Sequence, residues 1–524
     1  MQVRSARWEL PMAARVPRNI MITSLPAILF TMTTLPQGPT PTPEATAALA
    51  TTHLGIELFR TLSAAAPGTN LFVSPDSVTT ALAIVMAGAR EQTLAEMKRA
   101  LGLPADTPDA ALHAGLQRLQ QRLEAGRGTG TDAQRAEVAA LRTQLATLNQ
   151  RAEQLADGGK DWQAARAAQQ EAEQVAALLN RQLQGLDRYE LSCANALWVD
   201  RSFPILADYV ATIDRWYGSG AAQQLDFAHD PDGAARTIND WVAARTNDRI
   251  RDLLAKGSVP AATPMIVTNT IWFRGEWQQP FDAARTQPQP FLLAAGGEVS
   301  VPLMRDGHRH GVPYAAFDGD GDLFATPHEV PGEPGARQPP TYPDDRGFQM
   351  VELPYKGGEL AMVVLVPQSR DGLPQLERLL TAERLHGWLT KLGARQVDTS
   401  LPRFRLDGDH ELAPALQALG MHRAFTSPEQ PDGAQFAGIS SSTDPRQQVC
   451  ISRVVHKTML DVSEKGAEAA AATAVLMAVG AAARPLRMVP FHPVVRADRP
   501  FLFLIRDVKT SALLFLGRYV DPRR

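Results

Sequence analysis

The chain has 524 residues, of which 44% are hydrophobic and 21% charged, and its formal net charge is −3. This composition is typical of a globular protein with a large core, and the length suggests more than one structural unit. The small negative charge gives no electrostatic argument for a nucleic acid or an acidic membrane surface as a partner. Both cysteines, Cys193 and Cys450, lie in apolar, strand-like runs, so we expect two buried thiols and no disulfide.

The N-terminal residues 1–44 have the character of an export leader. Arg15 and Arg18 precede a mostly apolar stretch at 20–32, and a Thr/Pro-rich stretch follows at 33–43. The apolar stretch is too short for a transmembrane helix. We therefore expect a leader or disordered segment, an extracellular or periplasmic protein, and no association with a membrane.

Three helices are predicted next. Residues 45–64 place Leu49, His53, Ile56 and Phe59 at helical spacing. In the run NLFVSPDSVTTALAIVMAGA (70–89), Ser74 is a predicted N-cap and Pro75 suits the first turn. The rest of that run is apolar on nearly all sides, which predicts a buried helix. A third helix is expected at 91–103.

The stretch 125–186 is predicted to be an inserted antiparallel helical hairpin. It is rich in Ala, Gln, Leu, Arg and Glu, and its apolar residues recur at spacings of three and four on either side of Asp157-Gly158-Gly159. Its charges are mixed in sign, which favours a solvated coiled coil over a surface that binds polyanions.

The rest of the chain alternates strands with short helices, which makes the expected fold class α+β. Alternating or apolar runs predict strands, and the last two form a hairpin. These strands are expected at 189–199, 266–277, 351–354, 359–367, 396–406, 450–462, 501–506 and 512–519. Helices are expected at 238–254, 385–392 and 412–425.

The acidic, Gly- and Pro-rich residues 317–346 are predicted to form a long exposed inserted loop. Four acidic residues there fall at the offsets of a calcium-binding loop, but Leu323 occupies the position that needs glycine. The four are Asp318, Asp320, Asp322 and Glu329. We interpret them as solvated. His308 and His310 lie in a predicted turn without a third ligand, so no metal site is expected.

No enzyme motif was found in the sequence. A G-x-S-x-G elbow, an H-E-x-x-H helix, a P-loop and a C-x-x-C pair are all missing. His456 lies in an alternating strand, and we interpret it as a hydrogen-bonded core histidine. We therefore expect a protein that is not an enzyme and needs no cofactor.

The stretch EKGAEAAAATA (464–474) consists of small residues, so from its composition it can be an alanine helix or an exposed segment that is able to become a strand. The surrounding chain resembles the serpin family, and its bacterial members in particular, over residues 45–522. The resemblance rests on these motifs: NLFVSPDSVTTALAIVMAGA, YELSCANALWVD, INDWVAARTNDRI, VTNTIWFRGEWQQPF, LPRFRL, LQALGMHRAF, VVHKTMLDVSEKGAEAAAATA and VRADRPFLFLIRD.

This resemblance implies a metastable domain with three β-sheets, about nine helices and an exposed reactive-centre loop. In the family a serine protease cleaves the loop, which then inserts as a new strand into the main sheet and traps the acyl-enzyme. Residues that match the hinge of this loop are small and, from Gly466 to Arg484, free of proline. The hinge comprises Glu464, Lys465, Gly466, Ala467, Glu468, Ala469, Ala470, Ala471, Ala472 and Thr473.

The resemblance also assigns residues beneath and beside the main sheet. Ser74, Ser77, Asn269 and His456 match the shutter, where small polar groups let strands part. Trp277 resembles the tryptophan of the breach, and Glu464 matches the acid at the base of the loop.

Counting the family's loop length from Gly466 places the reactive bond between Gly480 and Ala481, with Arg484 as the rival. Small residues there favour an elastase-like or subtilisin-like target, whereas Arg484 would favour a trypsin-like one. The implied protein is a monomeric suicide inhibitor of serine proteases, with cysteine proteases as secondary targets. A non-inhibitory serpin that acts as a binding or scaffold protein is the alternative.

Overall fold

The computed structural model of this protein describes residues 41–126, 162–183, 189–332, 345–464 and 487–523, and some helical positions between 134 and 152. Ten α-helices have defined bounds within these ranges. They are α1 (Pro43–Ala65), α2 (Pro75–Met86), α3 (Glu91–Ala100), α4 (Asp109–Gly126), α5 (Trp162–Leu183), α6 (Ala207–Tyr217), α7 (Pro231–Arg245), α8 (Leu373–Leu379), α9 (Ala382–Leu389) and α10 (Ala413–Ala418).

The strands form two large sheets and a two-stranded ribbon. In chain order they are β1 (Leu71–Val73), β2 (Tyr189–Asp200), β3 (Ala222–Leu225), β4 (Met265–Gly275), β5 (Gln287–Leu292), β6 (Glu298–Phe317), β7 (Leu323–Phe324), β8 (Glu329–Gly332), β9 (Phe348–Pro354), β10 (Leu360–Pro367), β11 (Gly393–Pro402), β12 (Phe404–Glu411), β13 (Arg453–Val462), β14 (Arg487–Pro490), β15 (Val494–Arg496), β16 (Phe501–Asp507) and β17 (Leu513–Tyr519). The ribbon is β14 with β8.

The ten-stranded sheet contains the C-terminal hairpin near one edge. Its main order is β1-β17-β16-β10-β9-β6-β11-β15, and β5 and β7 pair with β6. Strand β17 pairs antiparallel with β16 on one side and with β1 on the other. The Ser74 hydroxyl, directly after β1, donates to the Leu514 carbonyl at 2.7 Å across 440 positions of sequence. Both ends of the described chain therefore complete one sheet.

The five-stranded sheet has the order β12-β13-β4-β2-β3. Strands β12 and β13 are antiparallel, as are β4 and β2. Between these two pairs, β13 runs parallel to β4, from Arg453 opposite Ile266 to Leu460 opposite Phe273. We call this parallel contact the seam. Strand β3 is short and pairs only with 197–200 of β2.

Helix α2 connects the two sheets. Ser74 caps it by accepting from the Ser77 amide, and Pro75 occupies its first turn, as predicted. Because its residues are apolar on nearly all sides, the helix is almost wholly buried, in contact with β2, β4 and β17. The cap therefore fixes Ser74 and Ser77 beneath the five-stranded sheet.

The α+β prediction is confirmed, as is the C-terminal hairpin, and the described residues contain three sheets. The two helical stretches at 134–152 and 162–183 pack on each other through apolar side chains. These are Leu141, Leu145, Leu148, Ala172, Val175 and Leu179. Residues 1–40 of the expected leader lie outside the described residues. None of the helices within the described ranges is long and apolar enough to cross a membrane.

Several local predictions were wrong. The segment 317–346 is not wholly loop, because β7 and β8 lie within it and pair with β6 and β14. His308 and His310 lie in the twenty-residue β6 and not in a turn, since pairing with β11 holds this polar stretch extended. The single strand expected at 396–406 is two strands that meet at Arg403 and belong to different sheets.

Two helix predictions also need correction. The helix expected at 412–425 is only α10 followed by a short 3-10 turn, because Gly420 adopts a φ of +93° and turns the chain out of the helix. On α1, Leu49 is 45% exposed, whereas Ile56 and Phe59 are buried. The first turns of α1 instead present small residues to α4, where Gly115 approaches Ala47 closely.

Candidate functional site

The seam lies directly before the chain segment that the sequence marks as functional. Strand β13 ends at Val462, and Ser463 and Glu464 follow it at the same end of the five-stranded sheet. Strands β4 and β13 are paired over eight successive positions, so the seam is closed along its length. A chain that leaves the end of β13 and turns back between the two strands would run antiparallel to both of them.

A buried polar cluster spans the seam beneath the sheet. We define the shutter cluster as Ser74, Ser77, Asn195, Asn269 and His456. Asn269 of β4 lies opposite His456 of β13 and, on its other side, opposite Asn195 of β2. Ser74, Ser77, Asn269 and His456 have no solvent exposure. Three neighbouring strands and the start of α2 therefore contribute polar side chains to one closed site.

The donors and acceptors of this cluster are matched. The Ser74 amide donates to His456 Nε2 at 3.0 Å, so that nitrogen is an acceptor and Nδ1 carries the proton. Nδ1 in turn donates to Asn269 Oδ1. Asn269 Nδ2 donates to Ser77 Oγ at 2.6 Å and to Asn195 Oδ1 at 2.7 Å. The site is thus a connected network in which His456 is neutral.

Burial keeps His456 in this state. Loss of hydration and, to a smaller extent, neighbouring His410 lower the pKa of His456, and the contact with Asn269 raises it; the net pKa is about 3. Burial also lowers the pKa of His410, which lies opposite His456 on β12. The prediction of a hydrogen-bonded core histidine at position 456 is confirmed.

The end of β13 is fixed by a second group of contacts. Trp277 Nε1 donates to the Ser463 carbonyl at 2.8 Å, and its ring stacks on Tyr355 with centroids 4.6 Å apart. Glu464 is 9% exposed and forms an ion pair with Arg403, with 3.5 Å between Nη1 and Oε1. The base of the following segment is therefore anchored at Ser463 and Glu464.

The structure brings Ser74, Ser77, Asn269 and His456 together and places Trp277 with Glu464 at the end of the seam. The remaining predicted site residues lie outside the described residues. They are Lys465, Gly466, Ala467, Glu468, Ala469, Ala470, Ala471, Ala472, Thr473, Gly480, Ala481 and Arg484.

Sequence reasoning missed Asn195 and His410. Asn195 lies within the apolar strand motif YELSCANALWVD, where one polar residue at an inward position is the only signal. Its role becomes visible only from the register that places it opposite Asn269. His410 lies in the alternating β12, and its neighbour His456 belongs to a strand more than forty residues later in the chain.

The cysteine prediction was partly wrong. Neither cysteine forms a disulfide, but Cys193 is exposed, because its side chain lines an open pocket between β2 and helices α2 and α4. Its Sγ accepts from Asn195 Nδ2 at 3.2 Å. Cys450 is partly buried, and this burial raises the pKa of its thiol to about 11. Over the described part of the chain, no group of three or more His, Cys, Asp or Glu side chains is arranged to hold a metal ion.

Comparison with known families agrees with this architecture. A family model described as Serpin (serine protease inhibitor) matches residues 49–146 and 138–522. Leukocyte elastase inhibitor from Bos taurus is 30% identical over 479 residues, which is 90% of this chain and 98% of that protein. Serpin B3 from Homo sapiens is 29% identical over 456 residues, 86% of this chain and 94% of that protein.

Solved structures show the same fold. The crystal structure of uncleaved ovalbumin superposes with a TM-score of 0.64 and 23% identity, covering 91% of this chain and all of that one. A crystal structure of maspin superposes with a TM-score of 0.64 and 20% sequence identity, covering 92% of this chain and 99% of the maspin chain. At these identities the similarity concerns the fold alone.

Proposed function

The chain belongs to the serpin family, and from that premise we propose that it is a suicide inhibitor of serine proteases. The observation that supports this most directly is the parallel seam between β4 and β13, with the hinge sequence starting at the end of β13. After cleavage, the hinge strand would enter the seam and trap the acyl-enzyme.

Pairing at the seam favours such an insertion. The inserted strand would replace one parallel contact by two antiparallel ones, and antiparallel pairing is slightly more stable per residue. Insertion would also nearly double the number of backbone hydrogen bonds between β4 and β13, because the new strand pairs with both of them. The closed seam is in this sense the less stable of two arrangements of the same strands.

The length of the segment is sufficient. Sixteen residues, from Lys465 to Gly480, would remain attached to β13 after cleavage between Gly480 and Ala481. In an extended conformation they reach about 50 Å, whereas the eleven residues of β4 extend over about 36 Å. The cleaved strand could therefore run along the whole seam.

The shutter cluster supports the same mechanism through its polarity. In an apolar core, opening the seam would break backbone pairing and separate hydrophobic contacts, but here it must also separate His456 from Asn269. Small polar side chains can exchange hydrogen bonds with a new strand, which limits the number of buried donors left without partners. We propose that Ser74, Ser77, Asn195, Asn269 and His456 act as the shutter and that Trp277 and Glu464 act as the breach.

For the target we favour an elastase-like or subtilisin-like serine protease, because Gly480 and Ala481 suit a small specificity pocket. The name of the bovine relative, an elastase inhibitor, agrees with this choice. Arg484 remains the rival site, and the Pro485 that follows it hinders cleavage there. We also propose export from the cell, on the basis of the N-terminal leader character.

The experiment is incubation of the full chain with elastase, subtilisin and trypsin. The expected result is an adduct with the protease that survives SDS, together with a released C-terminal peptide that begins at Ala481 by mass spectrometry. A peptide that begins at Pro485 would assign the bond to Arg484. Cleavage without any adduct, and without a rise in thermal stability, would reject inhibition and favour the non-inhibitory alternative.

A further inference from the structure

A cavity of about 240 Å³ lies beside the shutter cluster, outside the seam. Helices α2, α4 and α7 and strands β2 and β4 contribute to its lining. Ile84, Leu116, Leu123 and Ile271 supply apolar surface, and Trp241 supplies an aromatic ring. Polar atoms make up more of the lining than apolar ones, and the polar side chains include Thr80, Gln120 and Asn195. The cavity is therefore a concave, mixed surface on which polar groups can orient a small molecule.

Asp76, in the first turn of α2, lines this cavity without a partner. Within the described residues, no hydrogen bond or ion pair reaches its carboxylate, although the side chain is only partly exposed. Burial, together with the smaller effect of the negative charge on Asp507, raises the pKa of Asp76 to about 7. A carboxylate that is poorly hydrated and unpaired gains much from an added cation.

Asp507 shows how this chain satisfies a buried carboxylate elsewhere. Arg122 Nε donates to Asp507 Oδ1 at 3.0 Å, and Arg122 Nη2 donates to Oδ2 at 2.9 Å. The neighbouring Thr510 amide donates to the same carboxylate at 2.8 Å. Arg122 is thus committed to Asp507 in a bidentate pair, whereas no arginine or lysine of the described residues pairs with Asp76.

The other charged groups of the cavity leave it acidic. Glu124 contributes a second carboxylate, and Arg245 contributes one guanidinium. Arg245 lies over the Trp241 ring, 4.1 Å from its centroid, and forms no ion pair with Asp76. With both carboxylates ionised, the lining carries one net negative charge, which favours a cationic occupant.

We propose that this cavity binds a small organic cation, a protonated primary amine with an apolar or aromatic body, whose ammonium group pairs with Asp76. The volume equals that of about eight waters of liquid, which suits a body of about eight to ten non-hydrogen atoms. The ammonium supplies the donors that Asp76 lacks, and the apolar part covers the leucine and isoleucine side chains. The site does not depend on whether the chain inhibits a protease.

The test is calorimetric titration of the full chain with phenethylamine at pH 8, where Asp76 is mostly ionised. The expected result is saturable binding, with at least tenfold weaker binding of the neutral analogue 2-phenylethanol. The Asp76→Asn variant should lose at least tenfold in affinity for the amine. Asp208→Asn, which changes an exposed aspartate in the first turn of α6, is the matched control and should bind like the unmodified chain.

A second variant covers the case in which Asp76→Asn fails to fold. Thr80 lines the cavity from α2, and Thr80→Phe would place a ring in the space that the ligand needs. It should abolish binding while Asp76 is retained. Equal affinity for the amine and the alcohol, unchanged affinity in a folded Asp76→Asn variant, or no saturable binding up to millimolar amine would each overturn the proposal.

Discussion

His456 and Asn269 face each other across the seam, and the imidazole Nδ1–H donates to the amide Oδ1. Neither side chain is accessible to solvent. Water therefore cannot replace either partner while the seam is closed, and removal of one side chain leaves buried polar groups of the other unpaired. The two strands that must part for loop insertion are thus joined by side chains as well as by backbone pairing.

A double-mutant cycle should measure this link. Asn269→Ala removes the acceptor of His456 and two donated hydrogen bonds, so we expect a loss of about 1–3 kcal/mol in the free energy of unfolding. His456→Ala should cost a similar amount or more, because it also leaves a cavity. In urea unfolding, the two substitutions together should cost less than their sum by about 0.5–3 kcal/mol. Strict additivity would show that the contact contributes nothing of its own.

The free energy of unfolding should fall as the pH drops below the pKa of an exposed histidine. The pKa of His456 is about 3 in the folded protein, against 6.5 for an exposed imidazole. Between these values the unfolded chain binds a proton that the folded chain does not, so the free energy of unfolding decreases with decreasing pH. At pH 5 this single group accounts for a loss of about 2 kcal/mol relative to pH 7.

The matched substitutions for this pH dependence are His456→Gln and His386→Gln. The first should flatten the decline of the urea midpoint between pH 7 and pH 5, and the second, at an exposed position on α9, should leave it unchanged. Some slope will persist because burial also lowers the pKa of His113, to about 4. Asp76 has the opposite effect on the pH dependence of stability. Because its pKa is raised in the folded protein, its contribution to the free energy of unfolding increases as the pH falls. A slope that is the same in all three proteins would contradict the assignment.

Trp277 should stabilise the end of β13 mainly through its indole N–H. Trp277→Phe keeps a ring beside Tyr355 but removes the hydrogen bond to the Ser463 carbonyl, with an expected cost of about 1 kcal/mol. Hydrogen exchange by mass spectrometry should show faster exchange in peptides that contain the end of β13. Trp216→Phe, on α6 far along the chain, serves as the control. Unaltered exchange in the Trp277 variant would show that stacking alone fixes this end.

The two faces of the hinge should differ in their tolerance of a large charge. In an inserted strand, Ala469 shares a face with Ala467 and Ala471, while Ala470 shares the solvent face with Glu468. Ala469→Arg would force a guanidinium into the sheet interior, so we expect cleavage by the target without a stable adduct. Ala470→Arg should still form the adduct. Equal adduct yields from both variants would contradict insertion in this register.

Periodicity in the sequence was sufficient for elements with strong alternation or a defined cap. Ser74-Pro75 marked the start of α2 correctly because the N-cap bond to Ser77 is local. His308 and His310 were misplaced because their polar surroundings resemble a turn, and only pairing with β11 makes that stretch a strand. Long-range pairing of this kind has no local signature.

The shutter cluster was predictable only where its residues lie in recognisable sequence motifs. Ser74, Ser77, Asn269 and His456 could be assigned from family motifs, whereas Asn195 needed the register between β2 and β4. Asp76 gave no signal at all, since an aspartate in the first turn of a helix is common and favourable. Its place in the lining of a cavity, without a paired cation, depends on the packing of helices and strands that are distant in the sequence.

The position of the C-terminal hairpin between β1 and β10 has a consequence for biosynthesis. Among the described strands β1 pairs with β17, and the Leu514 carbonyl that accepts from the Ser74 hydroxyl lies 440 positions later in the chain. A chain emerging from the ribosome therefore cannot complete the larger sheet until β17 has been released. Such distant contacts slow folding and leave strand edges exposed in the meantime. Newly made chains of this protein should accordingly depend on chaperones for longer than their size alone requires.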